Sequence, residues 1–294
     1  MGVCAVSGRA ILYRNGLITR MTTFTGPYIG GAGSVKPGEP TTGIFGLEGS
    51  KAGAAAASVY LSHRVIRPDT TGYGKIINQS MRNVKEFYAR LAAAGIANRS
   101  YAITTLAPSG EINLKERRHI YDRLLSKLQE ASPTGMQEAL ADPELSDILR
   151  NQGPDQNIVD YVFNFKYEDG YVNTDPQAFD AFNQAVYDAF HVDWLAIDKG
   201  EKRLQDYPVL ISSTRFDRSV YGDTFMNSFA SRIGLAQPRE IGNLICLRST
   251  VMSPYLMYTE AGSFLAEILN IFDKEMQLLV PIFREKYSQP KAES

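Results

Sequence analysis

Residues 47 to 57 read Leu-Glu-Gly-Ser-Lys-Ala-Gly-Ala-Ala-Ala-Ala. Two glycines, a hydroxyl and a cation open a run of small residues that continues as a helix. Unpaired N–H groups at a helix start attract an anion, and the Ser50 hydroxyl and Lys51 ammonium add to that attraction. The alanines behind them let another element approach closely. The same residues also describe an ordinary serine N-cap on a closely packed helix. Lys51 reads as a solvated lysine of the first turn, because a Schiff-base lysine needs a desolvated or cationic setting.

Around this helix the elements follow from periodicity and breakers. Ala10 to Tyr13 reads as a short strand ended by Asn15-Gly16. Residues 26 to 43 hold too much Gly and Pro for a regular element, and a loop that long is usually functional or held at an interface. The helix from Ser50 runs to about Val65, before Pro68 and Gly72. A second helix, Tyr73 to Ala94, places Ile76, Ile77, Val84, Phe87, Tyr88 and Leu91 at helical spacing and closes on Gly95 as its C-cap. It reads as a connector between a large and a small domain. Strand and helix then alternate: strand from Tyr101, helix Lys115 to Ala131, strand Val159 to Tyr167, helix Pro176 to Phe190, strand Val209 to Phe216, helix Thr224 to Ile233, strand Leu244 to Met252 and a final helix Thr259 to Tyr287, with Pro281 kinking it. Residues 132 to 157 read as a polar stretch. The alternation predicts an α/β or α+β domain.

Composition excludes several classes. The 294 residues give room for one large domain or two smaller ones, and 44% apolar with 21% charged residues is the balance of an ordinary globular protein. A net charge of −1 gives no general attraction to nucleic acid or to an anionic membrane. No run approaches the roughly 20 apolar residues of a membrane span. Cys4 and Cys246 lie far apart and read as thiols of a reducing compartment, so a cytoplasmic protein is expected. His63, His119 and His191 have no metal-ligand spacing, so no metal site is predicted. A second candidate site is Leu247-Arg248-Ser249-Thr250-Val251-Met252-Ser253-Pro254, where an arginine at the end of an apolar strand can hold a carboxylate bidentately, with hydroxyls beside it. It also describes a surface arginine at a strand end.

Together these segments resemble the group II pyridoxal-phosphate-dependent amino-acid decarboxylases, nearest the bacterial tyrosine decarboxylase branch. The resemblance is carried by the Gly49-Ser50-Lys51-Ala52-Gly53 helix start, His63-Arg64-Val65-Ile66, Thr71-Gly72-Tyr73-Gly74-Lys75, the strand Asn157 to Phe163, and the strand Leu247 to Tyr255. Residues 107 to 150 match weakly.

The resemblance implies an aspartate-aminotransferase-like (fold type I) enzyme, with a large cofactor domain, a smaller C-terminal α/β domain, and a dimer with shared active sites. It implies pyridoxal 5'-phosphate as cofactor, with the pyridine ring accepting the electrons left by departing CO2. Gly49, Ser50 and Lys51 match the helix start that approaches the cofactor phosphate from a partner subunit. Arg248 matches the arginine near the substrate carboxylate, and Thr250 falls where tyrosine decarboxylases carry a substrate-side serine. The family's ring-stacking histidine, pyridinium-pairing aspartate and histidine-lysine pair precede this helix start. Here 48 residues precede Gly49, and no His-Lys pair occurs in the chain. No catalytic residue is therefore assigned, and most of the large-domain sheet is expected to be missing. The expected division is a large-domain remnant over 1–72, a connector helix over 73–95 and a small domain over 96–294. The expected partner is a second copy or a complementary N-terminal decarboxylase chain, and the expected substrate an aromatic amino acid. A non-catalytic partner chain and, less closely, an unrelated small binding protein are the alternatives. Residues 1 to 50 are expected to lack packing partners.

Overall fold

The computed structural model describes residues 14, 15, 18, 53–107, 114–129, 138, 139, 141–256 and 263–288. The chain divides into two units, Met1–Lys75 and Ile76–Ser294. In the first, α1 (Gly53–Val65) buries none of its residues, and Tyr60, Leu61 and Val65 are exposed. His63 meets Tyr73 edge-on, with ring centroids 5.7 Å apart. The strand expected at Ala10 to Tyr13, the loop at 26–43 and the expectation for residues 1 to 50 lie outside the described residues.

The second unit holds nearly all of α2 (Tyr73–Ala97), whose C-terminal half is buried. The helix runs past Gly95, which is therefore not its cap. Gly95 instead faces β1 (Tyr101–Thr105): a Cβ there would stand 2.6 Å from the Ile103 carbonyl oxygen, so only glycine lets strand and helix approach this closely. Asn98 makes the turn between them, its Oδ1 accepting from the backbone N–H groups of Ser100 and Tyr101. Further along come α3 (Leu114–Gln129) and α4 (Pro143–Asn151). The latter falls in the stretch read as merely polar. Its signal was local: Asp142 caps the N–H groups of Glu144 and Leu145, and Pro143 fills the first helical position.

Then follow β2 (Ile158–Phe165), α5 (Pro176–Phe190), α6 (Trp194–Asp198), β3 (Ser212–Asp217), α7 (Arg218–Ile233), β4 (Asn243–Thr250) and α8 (Phe264–Lys286). Gly222, at φ 80°, breaks α7 one turn in, just before the Thr224 start expected from sequence. The final helix runs through Pro281 to Lys286. The four strands form one antiparallel sheet in the order β1-β2-β4-β3.

Alternation along β2 builds the main core. Tyr161, Phe163 and Phe165 are fully buried on one face. Tyr161 and Phe163 lie 5.8 and 5.7 Å from Phe272 of α8, and Phe165 lies 5.4 Å from Phe182 of α5. Two of these pairs, Phe163 with Phe272 and Phe165 with Phe182, meet edge-to-face, and such pairs add about 0.5–1.5 kcal/mol each beyond burial. On the other face Val162, Cys246, Leu244 and Phe216 pack with Met226, Phe229, Ala230 and Ile233 of α7. A buried ion pair, Glu86 with Arg90 at 2.7 Å, also receives the Ser263 hydroxyl at 2.8 Å, which ties the start of α8 to α2.

The middle of the sheet is forked. β2 pairs with β4 only over Ile158–Tyr161, opposite Thr250–Leu247. Beyond that, α5 packs against both strands. The buried Asn183 of α5 takes the place of a pairing strand: its Oδ1 accepts from the Phe163 N–H at 2.9 Å, and its Nδ2 donates to the Phe163 carbonyl at 2.8 Å. The same Nδ2 donates to the Phe179 carbonyl at 3.0 Å. Two residues on, the Asn173 N–H closes on the Phe165 carbonyl at 2.9 Å, and Asn164 bonds Asn173 through both side chain and backbone. Removing the Asn183 amide strands a buried donor and acceptor. Asn183→Ala is expected to lower stability by about 2–4 kcal/mol. The half-buried neighbour variant Gln184→Ala, which loses only a hydrogen bond to the exposed Asp188, should cost no more than about 1 kcal/mol. Denaturant midpoints measure both, and an unchanged midpoint for Asn183→Ala refutes this role.

Candidate functional site

The four zipped residue pairs of β2 and β4 place chemically different groups on the two faces of the sheet. The Leu106 N–H bonds the Asp160 carbonyl, and the Val251 N–H bonds the Asn157 carbonyl. Backbone groups of even residues in β2 thus point toward β1, and those of odd residues toward β4. Asp160 and Arg248, which are register partners, therefore meet at a non-hydrogen-bonded position, where antiparallel side chains come closest. The Arg248 Nε donates to the Asp160 Oδ1 at 3.1 Å. The Arg248 side chain is 38% exposed and the Asp160 side chain 20%. Ser212 of β3 is the register partner of Arg248 on its other side, its hydroxyl 3.5 Å from the Arg248 carbonyl. Thr250, exposed, lies two residues along β4 and so shares the face of Arg248.

The opposite face is closed. The Tyr161 hydroxyl and Ser249 hydroxyl lie 2.8 Å apart, within the aromatic cluster. Burial pushes the Tyr161 phenol upward. On the Arg248 face, where Cys246 packs under α7, burial raises its thiol, helped by the Asp160 carboxylate, so this cysteine is no nucleophile. The chain leaving β4 is held by α2: the Asn83 Nδ2 donates to the Ser253 carbonyl at 2.7 Å, and the Ser80 hydroxyl to the Met252 carbonyl at 3.4 Å.

Of the residues singled out from sequence, Arg248 and Thr250 share one face at the end of β4. Gly49, Ser50 and Lys51 lie outside the described residues. Asp160 is not among the site residues expected from sequence, although it stands in the strand Asn157 to Phe163 that carries the family resemblance. An acid alternating with apolar residues in Ile158-Val159-Asp160-Tyr161-Val162 was its signal.

The donor set decides what this face fits. Pyridoxal phosphate asks for a lysine, a carboxylate for its ring nitrogen and donors for its phosphate. The carboxylate present, Asp160, is taken by Arg248. Burial lowers the pKa of two lysines, Lys85 and Lys166, but their ammonium groups donate to the carbonyls of Gln152 at 2.6 Å and Asn98 at 2.7 Å. The described residues thus fit a carboxylate and do not by themselves fit the cofactor. Among the described residues no cluster of three or more His, Cys, Asp or Glu side chains could hold a metal ion, and no helix is long and apolar enough to cross a membrane.

Comparison with known proteins finds relatives for the segment that holds this arrangement. Residues 145–276, which contain β2, β4 and the Asp160–Arg248 pair, match the model for the C-terminal region of tyrosine decarboxylase. Over this segment the chain is similar to the C-terminal region of the tyrosine decarboxylases. The L-tyrosine decarboxylase of Enterococcus faecalis (strain ATCC 700802 / V583) is 28% identical over 216 residues, covering 73% of this chain and 26% of that protein. The L-tyrosine decarboxylase of Levilactobacillus brevis is 29% identical over 227 residues, covering 76% and 27%. That of Enterococcus faecium is 25% identical over 283 residues, covering 95% and 37%. The matches thus span about a quarter to just over a third of these relatives.

Protonation of the closed face sets an alkaline limit. Tyr161 is raised by burial, and Tyr101 by burial and then by the neighbouring Asp273 carboxylate. In the unfolded chain tyrosine ionises near pH 10. Above that pH the unfolded state has lost protons that the native state keeps, so stability falls as pH rises. Well below it, neither state ionises and the contribution is flat. Denaturant midpoints are expected to drop from about pH 9.5 upward. Tyr161→Phe should flatten that drop, while costing about 1 kcal/mol at neutral pH for the lost Ser249 bond. An equally steep alkaline decline in the variant contradicts the assignment.

Proposed function

We propose that this chain serves pyridoxal-phosphate-dependent decarboxylation of an amino acid, aromatic and tyrosine-like, to its amine and CO2. It does so as part of a larger or split enzyme and is inactive alone. The observation that carries the reading is Arg248. A guanidinium in the segment matching the family model is 38% exposed, its terminal amino groups have no partner among the described residues, and Thr250 lies on the same face of the strand. Arg248 binds the substrate carboxylate and fixes the orientation of the bond that breaks. Thr250 offers a hydroxyl on the substrate side. Tyr161 and Ser249 hold the strand from behind. Gly49, Ser50 and Lys51 contribute donors for the cofactor phosphate in a neighbouring subunit, through a homodimer or a complementary N-terminal chain. No lysine of this chain is assigned the covalent role.

The second reading is a non-catalytic partner or regulatory chain derived from such an enzyme. It draws on the absence of any His-Lys pair from the sequence.

The test supplies the purified chain with pyridoxal phosphate and L-tyrosine, with and without the N-terminal part of a tyrosine decarboxylase such as that of Enterococcus faecalis. Alone, the chain is expected to yield no tyramine and no absorbance of protein-bound cofactor. The mixture is expected to yield tyramine, and Arg248→Ala to lower kcat/KM by about a hundredfold, the loss of a charge-assisted bidentate contact. A mixture that binds the partner but makes no amine favours the second reading. Full activity in Arg248→Ala removes Arg248 from the substrate.

A further inference from the structure

We infer that Asp160 is the positioning residue for Arg248, and that it dictates which edge of the guanidinium a carboxylate ligand meets. The inference rests on the reading of Arg248 as the carboxylate-binding group.

The guanidinium carries five N–H donors, one on Nε and two on each terminal nitrogen. Asp160 takes the Nε donor at 3.1 Å. The four N–H groups on Nη1 and Nη2 have no partner among the described residues. Two edges of a guanidinium can hold a carboxylate bidentately: the side edge, through Nε and one Nη, and the end, through both Nη atoms. Asp160 occupies the side edge. What remains is the end. A ligand carboxylate is therefore gripped end-on, by one N–H from each Nη, along the axis that the Asp160 contact fixes.

The energetics separate this role from a stabilising one. An ion pair this open to solvent contributes at most about 1 kcal/mol to folding. A long arginine side chain, however, loses rotamer freedom when it must be ordered for a ligand, at about 0.5–1.5 kcal/mol. Asp160 orders it beforehand. The aspartate charge also opposes an incoming anion, so orientation and attraction pull in opposite directions here. That opposition makes the two effects experimentally separable. Asp160→Ala removes the anchor and the charge. Asp160→Asn keeps an oxygen acceptor for Nε and removes only the charge.

The test uses the full chain and two readouts. The first is exchange of the Arg248 Nε–H with water, followed by NMR without any ligand. It is expected to be slow in the parent, about tenfold faster in Asp160→Ala, and slow again in Asp160→Asn, in line with loss and retention of one charge-assisted bond. The second is binding of L-tyrosine against tyramine, which lacks the carboxylate, followed through the Arg248 side-chain signals. Asp160→Ala is expected to weaken tyrosine binding about threefold, the lost ordering being partly offset by the lost repulsion, and Asp160→Asn to restore or strengthen it. Unchanged Nε–H exchange in Asp160→Ala overturns the positioning role whatever the ligand does. Tyrosine binding that survives Arg248→Ala overturns the reading of Arg248 itself. Loss of binding in Arg248→Ala with none in Asp160→Ala leaves that reading standing and overturns only the role of Asp160.

Discussion

A sheet that splits must satisfy the backbone groups it exposes at the split, and in this domain one side chain does so. Asn183 presents a carbonyl and an amide to the N–H and carbonyl of Phe163, at 2.9 and 2.8 Å, much as a neighbouring strand would. A buried, unpaired backbone pair would cost several kcal/mol, comparable with a large part of a domain's net stability. With that pair closed, β2 can leave β4 after four residues, and α5 can pack against both. The aromatic core depends on this, because from α5 Phe190 reaches Phe272 and Phe182 reaches Phe165.

The fork also determines where chemistry can sit. Side chains of β2 and β4 can meet across the ladder only in the zipped stretch, and its non-hydrogen-bonded positions are Asp160 with Arg248 and Ile158 with Thr250. One face of that stretch is sealed by Tyr161 and Ser249 against the core. The other is left to a cation, a carboxylate and two hydroxyls near solvent. The candidate site is thus a by-product of register: one set of pairings places the core residues inward and the polar ones outward.

Much of this was legible in the sequence where the signal is local. The helix Pro176–Phe190 is found with the bounds read from its apolar spacing and its N-terminal proline. The strands at 101, 158 and 243 are found within a residue or two of their expected starts. The misses have physical causes. Gly95 looks like a helix cap in sequence, yet it answers a tertiary demand, the passage of β1 against the helix. The helix at Pro143 was hidden in a polar stretch because its buried face is narrow, Leu145, Ile148 and Leu149. Asn183 reads as an unremarkable polar residue, since a side chain that completes a sheet has no sequence period to reveal it. For the site, Arg248 and Thr250 could be paired from their spacing on one strand. Asp160, 88 residues earlier, could be joined to Arg248 only once the register was known.

The alternation at the end of β4 carries a consequence for how such a protein can change. Positions 248 and 250 face outward, and positions 247 and 249 face the aromatic interior, so a single peptide bond separates residues under two unrelated constraints. Substitutions at the outward positions can alter what the surface accepts while the packing behind them stays intact. An insertion or deletion of one residue in this stretch would do the reverse, turning Arg248 into the interior and Leu247 into water. Diversification of ligand preference is therefore open to point substitution here and closed to changes of length.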